Sequence, residues 1–274
     1  MAIHELDTRA SIRYLLPSVE KPIYIASTPG ADAALNIGAE FEDREVAIHN
    51  ARRLNPQATL DRQGFALVPH QTLIKDFYRL ELNRPDYEDE ITALVLAASG
   101  GSHALVFDHT LRSDSRQIRG DRTTREPASV IHNDYTDASA KKRLLDLLPD
   151  GEGQARAGQR FAIINVWRSI RGSVLRSPLA CCDASTLADA DLVASERRAQ
   201  ERVGELELVC WNPAHRWYYY PEMSYDEALL IKTFDSATDG RARRSIHTAF
   251  DNPLAPADAP ARESIESRLL VFFD

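Results

Sequence analysis

His132 and Asp134 stand two residues apart in the run Val130-Ile131-His132-Asn133-Asp134-Tyr135. Side chains of an extended segment alternate faces, so an imidazole and a carboxylate at this spacing point to one side. One further histidine completes a two-His-one-carboxylate set, which grips Fe(II) on one face and leaves three positions open. Two histidines follow at workable separations: His215, among Trp211, Trp217 and Tyr218, and His247, in Ser245-Ile246-His247-Thr248. His-x-Asp alone also fits a turn after a strand, so its meaning depends on what the distal part of the chain supplies.

Two neutral imidazoles and one carboxylate leave Fe(II) with net positive charge, which favours chelation by an anionic 2-oxo acid and leaves a position for O2. The far carboxylate of 2-oxoglutarate then needs a cation at fixed reach, and the arginine fork offers two hydrogen bonds to it. Arg262-Glu263-Ser264 follows His247 by fifteen residues and opens the strand-like run Ile265 to Phe273. Arg262 and Ser264 share one face of such a strand with Glu266 and Arg268. Arg268 is therefore either a second carboxylate anchor or the salt-bridge partner of Glu266.

Other chemistries find less support. His103 and His109 flank a short apolar run with no carboxylate at ligand spacing, and Cys181-Cys182-Asp183 lacks a local base. With Cys210 the cysteines number three, and without a C-x-x-C they describe no disulfide framework. No G-x-S-x-G, P-loop or glycine-rich strand-to-helix turn occurs. A net charge of -8 and a pI near 5.5 argue against nucleic acid or an anionic membrane surface as partner. The first thirty residues hold no signal-like apolar core, and no run reaches the roughly 18 apolar residues that span a bilayer. At 274 residues and 43% hydrophobic, the chain is long enough for one full core. The expectation is a soluble cytoplasmic protein.

The positioning elements read as mostly short strands. Residues 1–60 read as an irregular, proline-punctuated arm with short strands at Ile23–Ile25 and Phe41–Val46. Gly64–Pro69 and Ala104–Asp108 read as strands around a helix from Pro85 to Ala98, whose apolar stripe is Ile91, Leu94, Val95 and Ala98. Arg112, Arg116, Arg119, Arg122 and Arg125 then form a basic stretch, either a solvated loop or a lid that attracts an anionic substrate. Thr136 or Asp137 caps a helix through Leu148, Gly151–Gly158 is a loop, and Arg160–Trp167 is the clearest buried strand. Ala188–Val203 reads as a charged surface helix, and Ser224–Glu227 has the spacing of one capped helical turn. Glu205–Cys210, Leu229–Phe234 and Leu269–Phe273 are strands. The sum is a β-rich α+β chain with a jelly-roll core and flanking helices.

These motifs together resemble the CmcJ/AsaB-like oxidoreductases, which include a cephamycin C7-methoxylation component and fungal hydroxylase/desaturases. The likeness runs from about residue 64 to the end. It rests on Val106-Phe107-Asp108-His109, His132-Asn133-Asp134-Tyr135-Thr136, Asn165-Val166-Trp167-Arg168, Pro178–Asp183, Arg216–Met223, Lys232–Ser236, His247–Asp251 and Arg262–Arg268. The resemblance implies a double-stranded β-helix with non-haem Fe(II), 2-oxoglutarate and O2. It implies His132, Asp134 and His247 as metal ligands and Arg262, helped by Ser264, as the cosubstrate clamp, with Arg268 as rival.

In that fold the distal histidine comes from the penultimate strand and the clamp from the last, an order that His247 meets and His215 does not. Arg112, Tyr135, Asn165, Trp167, Arg168 and Tyr219 are candidates for substrate contact. The implied activity is hydroxylation or desaturation of a small secondary metabolite, by one domain acting alone, as a homodimer or beside a partner enzyme. A methyltransferase, or a non-catalytic subunit of the same fold, is the alternative. Binding of S-adenosylmethionine, or turnover only with a second polypeptide, would mark these.

Overall fold

The computed structural model describes residues 7–17, 20–28, 30, 34–199 and 202–274. Strand β8 (Phe161–Ser169) is buried at every position, because both of its faces are covered. Ala162, Ile164 and Val166 pack with Tyr87, Ile91 and Val95 of helix α1 (Arg84–Ser99). The alternate residues look the other way, and Trp167 joins a cluster with Leu179 and Cys181 of a second sheet. A strand covered on both sides reads as a continuous apolar run, as Phe161-Ala162-Ile163-Ile164 does. Helix α1 ends as expected at Gly100, which adopts a left-handed φ of 72°.

β8 lies in the middle of a five-stranded sheet. Its neighbours are β13 (Glu227–Asp235) and then β5 (Phe65–Pro69) on one side, and β15 (Glu263–Phe272) and then β6 (His103–Ser113) on the other. The rows across it matter for the site. Arg268 pairs with Asp108 and Asn165, Glu266 with Thr110 and Trp167, and Ser264 with Arg112 and Ser169.

The second sheet has ten strands among the described residues. In order they are β1 (Thr8–Leu15), β4 (Phe41–Asn50), β12 (Trp217–Tyr219), β9 (Leu179–Cys182), β14 (His247–Ala249), β7 (His132–Asn133), β11 (Arg202–Val209), β10 (Leu192–Ala199), β2 (Ile23–Ile25) and β3 (Leu35–Ile37). The cluster of Phe65, Trp167, Leu229 and Ile231 with Leu179, Cys181 and Ala249 joins the two sheets, as a jelly roll requires. Helix α3 (Asp137–Leu147) starts on a Thr136–Ser139 capping box and lays Ala140 and Leu144 on Phe161, Ile163 and Phe234.

Several expectations are corrected. The N-terminal segment is not irregular: β1 pairs with β4 over eight residues, and β2 and β3 extend the opposite edge of the sheet. Ala188–Val203 is not a helix, because β10 pairs along β11 from Leu192↔Val209 to Ala199↔Arg202. Cross-strand pairing overrides the helix propensity of its Glu, Arg and Ala residues. Gly151–Gly158 contains a short helix, α4 (Glu152–Ala157). Ser224–Glu227 is a tight turn, in which the Glu227 carboxylate accepts the Ser224 N–H at 2.8 Å and grips Arg52 at 2.7 and 2.8 Å. The basic stretch divides: Arg112 lies in β6, α2 (Arg116–Arg122) is a short helix, and Arg125 bridges back to Arg112.

Candidate metal centre

His132 on β7 and His247 on β14 are direct antiparallel partners. Their rings lie 4.6 Å apart, centroid to centroid. One ligand atom from each of His132, Asp134 and His247 lies within 4.8 Å of the others. Each histidine uses Nδ1 on the backbone carbonyl two residues earlier, Val130 at 2.8 Å and Ser245 at 3.0 Å. Those bonds put the proton on Nδ1 and leave Nε2 of both rings as an acceptor. Burial, then the neighbouring His132, pushes His247 below the usual histidine range, which keeps it neutral as a ligand must be.

Asp134 divides its two oxygens. Oδ2 accepts from Asn165 Nδ2 at 2.8 Å and from Arg268 Nε at 2.9 Å, while Oδ1 lies 3.5 Å from His132 Nε2. Burial alone would raise this carboxyl, but the Arg268 guanidinium and the contact with His132 outweigh it and hold it well below the usual range. Two imidazole nitrogens and one carboxylate oxygen, each fixed from behind, are a donor set that fits Fe(II).

Just before β15, Arg262 is 3% exposed and makes one side-chain hydrogen bond, Nη1 to the Ser177 carbonyl at 2.6 Å. Its Nε and Nη2, with the hydroxyl of Ser264, are buried without a hydrogen-bond partner. The guanidinium stacks over Trp167, 5.5 Å from the ring centroid. Burial, then repulsion from Arg112, lowers Arg262 to about 9. A buried cation with two idle donors beside an idle hydroxyl is costly unless an anion completes it, and a carboxylate with two oxygens fits.

A family model described as oxidoreductase/YMDC permease-like domain matches residues 12–272. The chain belongs to this family. It is 32% identical over 257 residues to the hydroxylase/desaturase efuI of Hormonema carpetanum, covering 86% of this chain and 85% of that protein. It is 32% identical over 241 residues to the Fe(II)/2-oxoglutarate-dependent dioxygenase nvfI of Aspergillus novofumigatus, covering 83% of each. A solved structure of the iron and alpha-ketoglutarate-dependent endoperoxidase NvfI superposes with a TM-score of 0.82 at 26% identity, over 97% of this chain and 98% of that one. The protein is a non-haem Fe(II)/2-oxoglutarate-dependent oxygenase. No helix among its described residues is long and apolar enough to cross a membrane.

The oxygenase has a cavity of about 570 Å³ that reaches His132, Asp134 and Arg268. Arg112 and Tyr135, two of the candidates for substrate contact, line it. Asn165 and Trp167 do not: Asn165 is fully buried and positions Asp134, and Trp167 lies beneath Arg262. Arg168 is corrected outright. One residue out of phase on β8, it points to the α1 side and donates to His70 Nδ1 at 2.8 Å and the Tyr225 carbonyl at 2.5 Å. Tyr219 is likewise elsewhere, edge-on to Phe250 in the core of the larger sheet.

Arg268 is no free anchor, because Asp134, Asp108 (2.7 Å) and Glu266 (2.7 Å) occupy it. His215 is occupied at both ring nitrogens, by Tyr14 at 3.2 Å and Asp191 at 3.1 Å. The pairing of Arg268 with Glu266 is one of the two roles the strand parity offered, whereas Asp108 as a holder of Arg268 and Asn165 as the holder of Asp134 were not foreseen. For Asn165 the available signal was parity, since it shares its strand face with Trp167.

Proposed function

We propose that His132, Asp134 and His247 hold Fe(II), that Arg262 and Ser264 bind the distal carboxylate of 2-oxoglutarate, and that the cavity beside them admits a small secondary metabolite for hydroxylation or desaturation. Bound iron with 2-oxoglutarate supplies O2 activation, with succinate and CO2 as coproducts. The protein's own part is positional. Nδ1–H bonds to Val130 and Ser245 aim both rings, and Asn165 with Arg268 keeps Asp134 ionised and oriented. Arg262 and Ser264 offer donors already stripped of water, so an entering carboxylate meets a preformed cradle. Residues 1–274 act as one oxygenase domain in this reading. Its place is the cytoplasm, which suits three free thiols, two of them buried.

The carrying observation is the convergence of three ligand atoms within 4.8 Å, each residue anchored from behind. The test is metal analysis with anaerobic difference absorption. Purified protein should take up one Fe(II) per chain and develop a charge-transfer band on addition of 2-oxoglutarate. Absence of iron uptake, or iron without the band, would refute the reading.

A further inference from the structure

Seven arginines border the cavity, yet the chain as a whole carries a net charge of -8. Four of the seven have partners. Arg268 is held by three carboxylates, Arg13 pairs with Asp43 at 3.3 Å, Arg112 donates to the Glu126 carbonyl at 2.7 Å, and Arg143 stacks on Phe107 at 4.6 Å. The cavity's acids are also engaged. Asp108 and Asp134 bind Arg268, Glu126 accepts the Ala34 N–H at 2.6 Å, and Glu205 pairs with Lys21 and accepts from Thr136.

Arg125, Arg197 and Arg202 have no such partner: they line the cavity, and none of the three side chains makes a hydrogen bond or ion pair with another described residue. Of these, Arg125 and Arg197 stand close enough to repel each other. Burial, then Arg112 and Arg197, weakens the hold of Arg125 on its proton. Burial, then Arg268, does the same for Arg197. These two half-buried guanidinium groups repel their neighbours and face an open cavity, and the carboxylates that attract them, Asp108 for Arg125 and Asp134 for Arg197, are already ion-paired to Arg268. The 2-oxoglutarate tail already has a separate cradle at Arg262 and Ser264. Around the pair, Tyr24, Phe107, Val130, Leu206 and Leu208 supply apolar wall.

Resting on the proposed reading of the site, we infer that the substrate is an organic acid, with an apolar skeleton against these residues and a carboxylate held between Arg125 and Arg197. The planar fork of each guanidinium matches a carboxylate, and a site built for that charge rejects a neutral analogue of the same shape. The arginine pair then fixes which carbon of the skeleton faces His132 and Asp134.

The test uses the iron- and 2-oxoglutarate-loaded protein under anaerobic conditions, titrated calorimetrically with matched acid and amide pairs. The probes are 2-naphthoate and 2-naphthamide, biphenyl-4-carboxylate and its amide, and 4-phenylbutanoate and its amide. At least one acid should bind ten or more times more tightly than its amide (about 1.4 kcal/mol per tenfold). In the variant Arg125→Gln/Arg197→Gln that preference should vanish while the 2-oxoglutarate Kd holds. Should the double variant not fold, the single variants decide, each losing at least threefold for the acid alone. Parity of every acid with its amide, or a preference that survives both substitutions, overturns the inference while iron and cosubstrate binding stand. A failed iron or 2-oxoglutarate titration in the unmodified protein instead overturns the reading beneath it. If the 2-oxoglutarate Kd rises in the double variant and not in Arg262→Gln, the pair is the cosubstrate clamp and both fall.

Discussion

His132 and His247 sit directly opposite each other across the β7–β14 ladder, and both rings are turned by the same local device, an Nδ1–H bond to the carbonyl two residues upstream. Two strands of two and three residues thus present matched nitrogens to one point. The convergence depends on register, so it is intolerant of slippage.

His247→Ala should therefore abolish tight Fe(II) binding and turnover. His215→Ala, whose ring is tied to Tyr14 and Asp191, should keep the metal. A lost ligand should exceed the roughly 10–100-fold cost typical of changes behind the ligands. Iron stoichiometry on the two folded variants decides between them, and the reverse result would sink the assignment.

Arg262→Met removes a buried cation with two idle donors, so the apo protein should unfold at the same temperature as the parent or higher. Added 2-oxoglutarate should stabilise the parent and not the variant. Charged hydrogen bonds are each worth about 1.5–3 kcal/mol, so cosubstrate affinity should drop at least about tenfold. Thermal midpoints with and without 2-oxoglutarate report both effects.

Arg268→Gln should behave in the opposite way. It leaves Asp134 and Glu266 buried without their cation, at a cost of about 3–5 kcal/mol, and Arg268→Lys should recover part of it. Asp108 is half-exposed and adds little. Urea midpoints measure the loss. A variant as stable as the parent but weak for 2-oxoglutarate would return Arg268 to the role of clamp.

Glu207 accepts from Asn133 at 2.8 Å and lies 3.2 Å from Arg244, yet burial pushes its carboxyl up to about 7. A folded pKa above the unfolded value means the native state holds the extra proton. Its contribution is thus fully present at low pH and is lost as pH rises from about 4.3 to about 7. Glu207→Gln should gain on the parent as the medium goes from about pH 5 to about pH 8. A urea-midpoint difference that stays flat or shrinks would contradict the assignment.

The His132–Asp134 half of the candidate metal centre was legible because its chemistry is local. His-x-Asp needs only strand alternation, and the face shared by Arg262, Ser264, Glu266 and Arg268 follows from the same rule. What the sequence left open was whether Arg268 binds cosubstrate or protein, since Asp108 and Asp134 reach it from strands more than a hundred residues away. Arg168 misled because one step along β8 exchanges the site for the α1 side. The segment at 188–203 misled because its Glu-Arg-rich stretch suits a helix until β11 pairs with it. The first fifty residues, short on periodicity, owe their strands to partners as distant as Ile48↔Trp217.

The position of the strands that carry His132 and His247 in the larger sheet has a consequence for motion. β14 and β7 are its two central strands, hydrogen-bonded on both sides, whereas β2 and β3 are three-residue strands at one margin, with Leu35 and Ile37 half in solvent. Opening free energy rises from frayed edges toward doubly paired centres. Backbone amides at β7 and β14 should thus exchange only with global unfolding, and those at β2 and β3 much sooner. Tyr24 and Asn36 belong to both that margin and the cavity wall. This rim of the cavity can breathe while the geometry around His132, Asp134 and His247 stays fixed.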